Sequence, residues 1–344
     1  MNHDRCPAGV RRRAHAARAS GVAHPVRRDR IKLWTALWVV YLAWGSTYVA
    51  IKIAVRTLPP LLTAGTRFLA ASAILAGILT VARRSLRVEP REAFAAAGIG
   101  VALLSLGVGL VHVAETRIDS GVAAMIAGSV PLQIVVWRLV AGERVPRPTA
   151  VAAVVGLAGL ALVVGPDGLR GGATAVGLLI MLTASVSWSS GSFVSRRLSL
   201  PRDPFVATVY EMLGGGLVLV VAALAAGEGA DLGSEAFEPG PLAAWLYLAV
   251  VGSVLGFTTY VWLLDSAPIS QVVTHQYVNP LVAVVLGALL LDERPGATTL
   301  AGAALIVGAV VVTARHEGRA GSERPPTSRP SSVAQRETRA DPTG

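Results

Sequence analysis

Charged residues, cysteine and histidine are scarce in this sequence, and each shortage argues against a class of protein. Only 15% of the 344 residues are Asp, Glu, Lys or Arg, whereas about 25% are charged in a soluble domain. The single cysteine, Cys6, allows neither an internal disulfide nor a CxxC metal site. The six histidines form no HExxH motif, which disfavours a metal enzyme. No nucleotide-binding loop of the GxxxxGK[ST] type is present, which disfavours transport driven by ATP hydrolysis in this chain.

Long apolar runs dominate the rest of the chain, of which 53% is hydrophobic. A run such as LWTALWVVYLAWGSTYVAI approaches the roughly 20 residues that span a hydrocarbon core of about 30 Å as a helix. Short alternating strands, which a transmembrane barrel requires, are not visible. We therefore predict an all-α polytopic membrane protein with about ten transmembrane helices, at residues 34–55, 60–81, 93–113, 119–140, 149–165, 173–194, 205–226, 241–263, 268–290 and 297–314.

The basic residues indicate orientation rather than nucleic-acid binding, although the net charge is +10. They concentrate in the tails and in alternate loops, a pattern that orients a membrane protein. An even number of spans places both tails on one side, which the positive-inside rule predicts to be the cytoplasm, in a cell (inner or plasma) membrane. We expect the acidic loop 227–240 to be solvated. The loops of the outer side hold only four basic residues, Arg56, Arg117, Arg170 and Arg294.

The two tails differ in composition from the apolar region between them. Residues 1–32 are rich in Arg and Ala and poor in acids, and residues 315–344 are rich in Ser, Pro, Arg and Glu. Neither composition buries enough apolar surface to fold, so we predict two disordered cytoplasmic tails. The first apolar run is long, which favours a retained helix over a cleaved signal; an organellar transit peptide is the alternative. Whether residues 1–28 belong to the mature chain stays open, and we expect their deletion to preserve transport.

An internal repeat relates the two halves of the chain. A shift of 144 residues places Trp44 on Trp188 and Arg67 on Glu211, and a shift near 150 places SVPL on VNPL and GERV on DERP. Each repeat, at 33–165 and 172–314, holds five helices. Because five is odd, the second copy enters the membrane from the opposite side. Inverted repeats are typical of secondary transporters, which alternate access around a midplane site.

Several of these stretches resemble a known family. AWGSTYVAIK, SVPLQIVVWRLVAGER and YVNPLVAVVLGALLLDER are similar to the EamA repeat of the drug/metabolite transporter superfamily, over roughly residues 34–314. The resemblance implies a ten-helix bundle with cytoplasmic termini that exports or imports metabolites. It does not fix the substrate. Small four-helix relatives carry a glutamate in the first helix for proton coupling, and this chain has none there.

Ionisable residues inside the spans are the first candidates for a site, since each costs on the order of 3 kcal/mol at the bilayer centre. Arg67 and Glu211 each follow a proline by seven residues and so lie about 10 Å deep. They form either a structural ion pair with polar contacts, or a midplane site in which Arg67 holds a carboxylate and Glu211 holds an amine or a proton. Lys52 lies near the outer end of its span, as an anchor that reaches the interface or as a cation at the mouth of an anion path. His112 is expected at the outer interface.

Polar and aromatic residues complete the list of candidates. The stretch THQYVNP either lines a cavity or forms hydrogen bonds between helices. Trp44 and Trp188 lie in the middle of their spans, where they either line a cavity or fill the space between packed helices. Glu143 and Glu293, at span ends, are expected to cap helices or pair locally. The candidates in the polar stretch are His275, Gln276, Tyr277 and Asn279, followed by Pro280, which with Pro131 of the other repeat is predicted to break a helix.

The sequence thus predicts a secondary transporter, as an exporter of a small metabolite such as an amino acid or related amphiphile, working by alternating access. The predicted partners are the substrate, the lipid bilayer and a coupling ion such as a proton; no cofactor, metal or nucleic acid is expected. One alternative is a receptor or scaffold, which would need no buried polar groups in both halves. Another is an intramembrane enzyme, which would need clustered catalytic groups. Substrate identity, transport direction and oligomeric state are not fixed by the sequence.

Overall fold

A computed structural model describes residues 26–164, 174–230, 232–233, 237–267 and 269–322. Every regular element among these residues is a helix, and nine helices are long and apolar enough to cross a membrane. The tenth, α9, has 17 residues and is preceded by a short helical turn, Ile269–Val272. The fold is therefore an all-α bundle of ten helices, as predicted. Their bounds are α1 Val26–Ala54, α2 Pro60–Val81, α3 Pro90–Glu115, α4 Ser120–Val140, α5 Arg147–Val164, α6 Ala175–Ser195, α7 Pro204–Ala225, α8 Pro239–Ser266, α9 His275–Leu291 and α10 Ala297–Ser322.

Local sequence signals set where the helices begin. Four of them start on a proline, at Pro60, Pro90, Pro204 and Pro239, where the missing N–H would have no partner in any case. The side chain of Thr174 caps α6 by accepting from the N–H of Gly177. These signals explain why the observed bounds lie close to the breaks in hydropathy.

The outermost helices extend beyond the predicted spans. Helix α1 begins at Val26 and α10 continues to Ser322, so parts of the segments predicted as disordered tails are helical. Arg, Lys and Ala are good helix formers, and a helix satisfies its own backbone hydrogen bonds after it leaves the apolar core. The remaining parts of those tails, 1–25 and 323–344, lie outside the described residues.

The packing follows the two-fold relation between the repeats. Helix α1 packs against α9 as α6 packs against α4, and α2 packs against α7. Helix α5 packs against α10 at two facing glycines, where a Cβ on Gly302 would lie 2.6 Å from the carbonyl oxygen of Gly159. Small residues allow this close approach of two membrane helices. The contacts thus relate the two five-helix units as equivalent halves.

Contacts near the ends of the helices define two ends of the bundle. At the end that carries the α1–α2 loop, the Lys52 ammonium donates to the carbonyls of Glu115 (2.7 Å) and Ile118 (2.8 Å). At the other end, which carries the α2–α3 loop, Arg84 pairs with Asp203 at 3.0 Å. We refer to these as the α1–α2 end and the α2–α3 end.

Helices α3 and α8 both contain a π-helical segment, at Val101–Gly109 and Leu248–Leu255. These helices are equivalent in the two repeats, and the segments lie at similar depths. A π segment has a wider turn than an α-helix, is rare, and is frequent at functional sites. The repeated segments therefore direct attention to the space between them.

Candidate transport site

A cavity of about 120 Å³ lies between the two repeats. Trp44 of α1 and Trp188 of α6, which the repeat alignment pairs, both line it. Each π segment contributes to the wall, through Gly107 of α3 and Gly252 of α8. The cavity is therefore built from equivalent elements of both halves.

Trp44 and Trp188 each pack against the π segment of the opposite repeat. The indole N–H of Trp44 donates to the carbonyl of Gly252 at 3.1 Å. A Cβ on Gly107 would lie 3.0 Å from the ring of Trp188. Phe257 and Tyr260 meet the Trp44 ring with centroids 5.3 and 4.9 Å away. These contacts fix the aromatic walls of the cavity.

Arg67 supplies a buried cation to the cavity wall. Its side chain extends from α2, the residue is 3% exposed, and its guanidinium carbon lies 4.4 Å from the ring centroid of Phe68. Its Nε and Nη1 atoms have no hydrogen-bond partner. A buried charge without hydrogen bonds is costly, so this guanidinium is available to an anionic group in the cavity.

The polar stretch of α9 divides between the cavity and the core. His275, Gln276 and Asn279 line the cavity, while Tyr277 packs against the largest apolar cluster. The Nδ1–H of His275 donates to the carbonyl of Val272 at 2.7 Å. The side-chain oxygen of Asn279 is buried without a partner. The cavity thus presents amide and imidazole groups close to the aromatic wall.

The two candidate helix-breaking prolines occupy different positions. Pro131 lies in the first turn of the second part of α4, directly after an interruption at Gly128 and Ser129. Pro280 lies inside α9, which is helical on both sides of it. The interruption in the second repeat comes earlier, at 273–274, where the hydroxyls of Thr274 and Tyr41 share a hydrogen bond. Neighbouring groups and helices allow a membrane helix to continue through proline.

The structure does not bring Glu211 to the cavity. Helix α7 packs so tightly on α3 that a Cβ on Gly100 would collide with the backbone carbonyl of Glu211. Within the described residues, Glu211 forms no ion pair with Arg67 and does not line the cavity. Equal depth in two helices does not fix which side of each helix faces the centre, and this explains the difference from the expected pairing.

Sequence reasoning missed a second buried group of polar side chains, beyond the cavity toward the α1–α2 end. Glu115 and His112 of α3 are both 0% exposed, whereas His112 was expected at the interface. Lys52 does not reach freely for the interface, because its ammonium binds the carbonyl of Glu115 at the end of α3 and that of Ile118 in the α3–α4 loop. The sequence offered one signal for this buried group: two polar residues, His112 and Glu115, three positions apart at the end of an apolar run. The same pattern occurs at the ordinary end of a membrane span.

Glutamates at other helix ends hold neighbouring elements together, as the sequence predicted for two of them. Glu293 accepts from the N–H of Ser120 (2.8 Å), its hydroxyl (3.0 Å) and the N–H of Gly121 (3.0 Å). Glu143 accepts from Arg138 (3.0 Å) and Arg197 (2.6 Å). The hydrogen bond from Arg138, with that from Arg197, holds the pKa of Glu143 below its ordinary value.

The acidic loop between α7 and α8 is not solvated throughout. The Glu228 carboxylate accepts from the backbone N–H groups of Leu61 (3.3 Å) and Leu62 (2.8 Å) and so caps α2. Asp231 and Glu235 lie outside the described residues. Among the residues that are described, no group of three or more His, Cys, Asp or Glu could hold a metal ion.

Comparison with known proteins assigns the family. The model of the EamA-like transporter family matches residues 33–165 and 175–315, and the chain belongs to this family, within the drug/metabolite transporter superfamily. It is 36% identical over 287 residues to the uncharacterized inner membrane transporter YedA of Escherichia coli K12, covering 83% of this chain and 91% of that protein. It is 26% identical to the uncharacterized transporter YoaV of Bacillus subtilis, covering 80% and 94%.

Two further matches agree. A chloroplastic WAT1-related protein of Arabidopsis thaliana is 27% identical, covering 83% of this chain and 70% of that protein. One crystal structure of a protein matches with a TM-score of 0.57 at 21% identity, covering 83% of this chain and 97% of that chain; this likeness supports the fold alone. The protein is thus a multi-pass membrane transporter that acts on a small molecule.

Proposed function

We propose that this protein is a secondary transporter that exports a small carboxylate-bearing metabolite, such as an amino acid, through the central cavity by alternating access. The observation that carries the proposal is Arg67, a buried cation with two unpaired nitrogens at a cavity shared by both repeats. A guanidinium binds a carboxylate through two parallel hydrogen bonds. Transport is favoured over a scaffold role because buried polar groups face a common cavity from both halves.

The remaining lining residues fit an amphiphile of this kind. Trp44 and Trp188 offer apolar faces to a side chain, while Gln276 and Asn279 offer amide groups to a polar backbone. A cavity of about 120 Å³ far exceeds the roughly 10–15 Å³ that a single water requires, so it has room for several water molecules. A small metabolite displaces that water and leaves Arg67 paired.

Separate contacts at the two ends of the bundle support alternating access. At the α1–α2 end, Glu293 of the second repeat holds the start of α4 in the first. At the α2–α3 end, Arg197 of the second repeat binds Glu143 of the first. Breaking one set while keeping the other opens the cavity to one side, which is the rocking motion of inverted-repeat transporters.

We further propose that the protein lies in the inner or plasma membrane with both termini in the cytoplasm. The support is the excess of basic residues in the tails and in the loops of the α2–α3 end, together with the inner-membrane name of the Escherichia coli relative. The natural Cys6 tests this placement, because it is the only cysteine. An impermeant maleimide should label Cys6 only in permeabilised cells. In a Cys6→Ser background, Gly233→Cys in the α7–α8 loop should be labelled in intact cells, and the reverse pattern contradicts the orientation.

The transport proposal is tested by exchange in proteoliposomes. Vesicles loaded with an unlabelled mixture of the twenty L-amino acids are placed in the same mixture carrying radiolabel, and exchange is compared for wild type, Arg67→Gln and Arg84→Gln. Arg84 is a matched control, since it is a partly exposed cation whose partner is Asp203. We expect exchange in wild type and Arg84→Gln, and at least a tenfold loss in Arg67→Gln. Absence of exchange in wild type contradicts the substrate class, and wild-type exchange in Arg67→Gln contradicts the role of Arg67.

A further inference from the structure

Glu115 is a buried carboxylate whose position the packing of the bundle does not explain. The residue is 0% exposed and neither side-chain oxygen has a hydrogen-bond partner. It lies one helical turn beyond Val111, which lines the cavity. Most buried polar groups are hydrogen-bonded, so an unpartnered carboxyl next to a transport cavity points to a ligand.

Charges from several elements act on Glu115. Burial in the apolar bundle acts most strongly on Glu115 and favours its neutral form, whereas Lys52 and Arg67 favour the charged form and Glu293 disfavours it. The Lys52 ammonium is nevertheless hydrogen-bonded to backbone carbonyls and not to the carboxylate. The other titratable groups around this site are Tyr48 of α1, His112 of α3 and Asp119 of the α3–α4 loop.

The ligand that fits this site is a proton. A carboxyl without hydrogen-bond donors in an apolar environment exists as the charged form only while nearby cations compensate it. The cations near Glu115 are Lys52 and Arg67, and the other acidic groups are Glu293 and Asp119. Pairing of Arg67 with an anion therefore shifts Glu115 toward its protonated form.

We infer that Glu115 binds the coupling proton, and that the substrate carboxylate controls this binding by pairing with Arg67. This inference rests on the proposed function. When a carboxylate binds Arg67, it neutralises part of the positive field at Glu115 and adds a negative charge nearby. Glu115 then takes up one proton from solution. When the substrate leaves, Arg67 again stabilises the Glu115 carboxylate and the proton is released on the same side.

The substrate and one proton therefore cross together, with one proton for each carboxylate that pairs with Arg67. Efflux is driven by the concentration gradient of the substrate itself, with one proton accompanying each molecule. In the reverse direction, a proton gradient drives accumulation of the substrate. Lys52 positions the site, because its bonds hold the end of α1 against the end of α3.

Gradient-driven uptake tests the coupling. Proteoliposomes with an alkaline interior receive the radiolabelled mixture of L-amino acids, for wild type, Glu115→Gln and Glu211→Gln. Glu211 is the matched control, as a carboxyl within a membrane helix that does not line the cavity. We expect wild type and Glu211→Gln to accumulate label by up to about tenfold per pH unit. In Glu115→Gln, accumulation is lost and exchange no longer depends on pH. Accumulation by Glu115→Gln at the wild-type level overturns the inference.

Infrared difference spectroscopy of the substrate-free protein separates the two proposals. To remove the signal of the other carboxyl within a membrane helix, the spectra are recorded in the Glu211→Gln background. The carbonyl stretch of a protonated carboxylic acid should titrate with pH in Glu211→Gln, and this band should be absent when Glu115→Gln is added. If wild type shows no exchange, the proposed function fails, and this band alone decides whether Glu115 is a proton site. A titrating band that is unchanged when Glu115→Gln is added overturns it. If that variant does not fold, Glu115→Asp must shift the titration, and an unshifted titration overturns the inference equally.

Discussion

The contact between Glu293 and the start of α4 predicts how one end of the bundle is held closed. The carboxylate accepts three hydrogen bonds, from the N–H and hydroxyl of Ser120 and from the N–H of Gly121. It also places a negative charge at a helix N-terminus, where it is favourable. Since Glu293 belongs to the second repeat and α4 to the first, opening the α1–α2 end breaks this contact.

The perturbation is Glu293→Gln, which keeps the shape and one acceptor oxygen but removes the charge and the second acceptor. Hydrogen bonds to a charged group contribute about 1.5–3 kcal/mol and neutral ones about 1 kcal/mol. Losing the charge and at least one bond therefore costs about 2–3 kcal/mol of the stability of the closed end. The open population is then expected to rise roughly 30- to 150-fold.

The assay is maleimide labelling of Ile118→Cys in a Cys6→Ser background. Ile118 is 1% exposed at the α1–α2 end, so labelling requires opening, and slow labelling tracks the open population. Glu143→Gln at the α2–α3 end is the control and should leave the labelling rate unchanged. A rise of less than about threefold with Glu293→Gln, or an equal rise with Glu143→Gln, refutes a latch at this end.

Three further outcomes follow from the packing and the surface charges. Gly302→Val should abolish the folded protein in detergent, because even a Cβ would lie 2.6 Å from a backbone oxygen of α5, whereas Gly77→Val, with open space around it, should not. Trp44→Phe should lower stability by about 0.5–1.5 kcal/mol through one lost hydrogen bond, measured by thermal unfolding. Hydrogen bonds from Arg138 and Arg197 lower the pKa of Glu143, so its stabilising contribution is present at neutral pH and disappears as the pH falls through that lowered pKa. The unfolding temperatures of wild type and Glu143→Gln should therefore converge in acid.

The architecture could be predicted because the length of each apolar run and the number of basic residues in each loop can be read from that segment alone. Ten apolar runs, separated by breaks, specify ten helices whatever their neighbours are. The internal repeat added a tertiary relation, since Trp44 and Trp188 had to occupy equivalent places. The structure puts both at the cavity, although the sequence left cavity wall and helix packing as alternatives.

The side of each helix that is turned toward the cavity could not be predicted in the same way. Arg67 and Glu211 have the same depth, yet only Arg67 lines the cavity, because α7 meets α3 at the backbone of Glu211. Glu115 was missed for a related reason. Its position at the end of an apolar run is typical of an interface residue, and its burial arises because α6, α2 and α1 all pack against the end of α3.

The paired π segments also carry information about the origin of the chain. One extra residue in an α-helix turns everything beyond it by about 100°, which would rotate packed faces away from their partners. A π segment absorbs the extra residue locally, so α3 and α8 keep their phase with the rest of the bundle on both sides of Val101–Gly109 and Leu248–Leu255. Matching segments in both halves are what a single insertion would leave if it preceded gene duplication, and the two irregular turns face each other across the cavity.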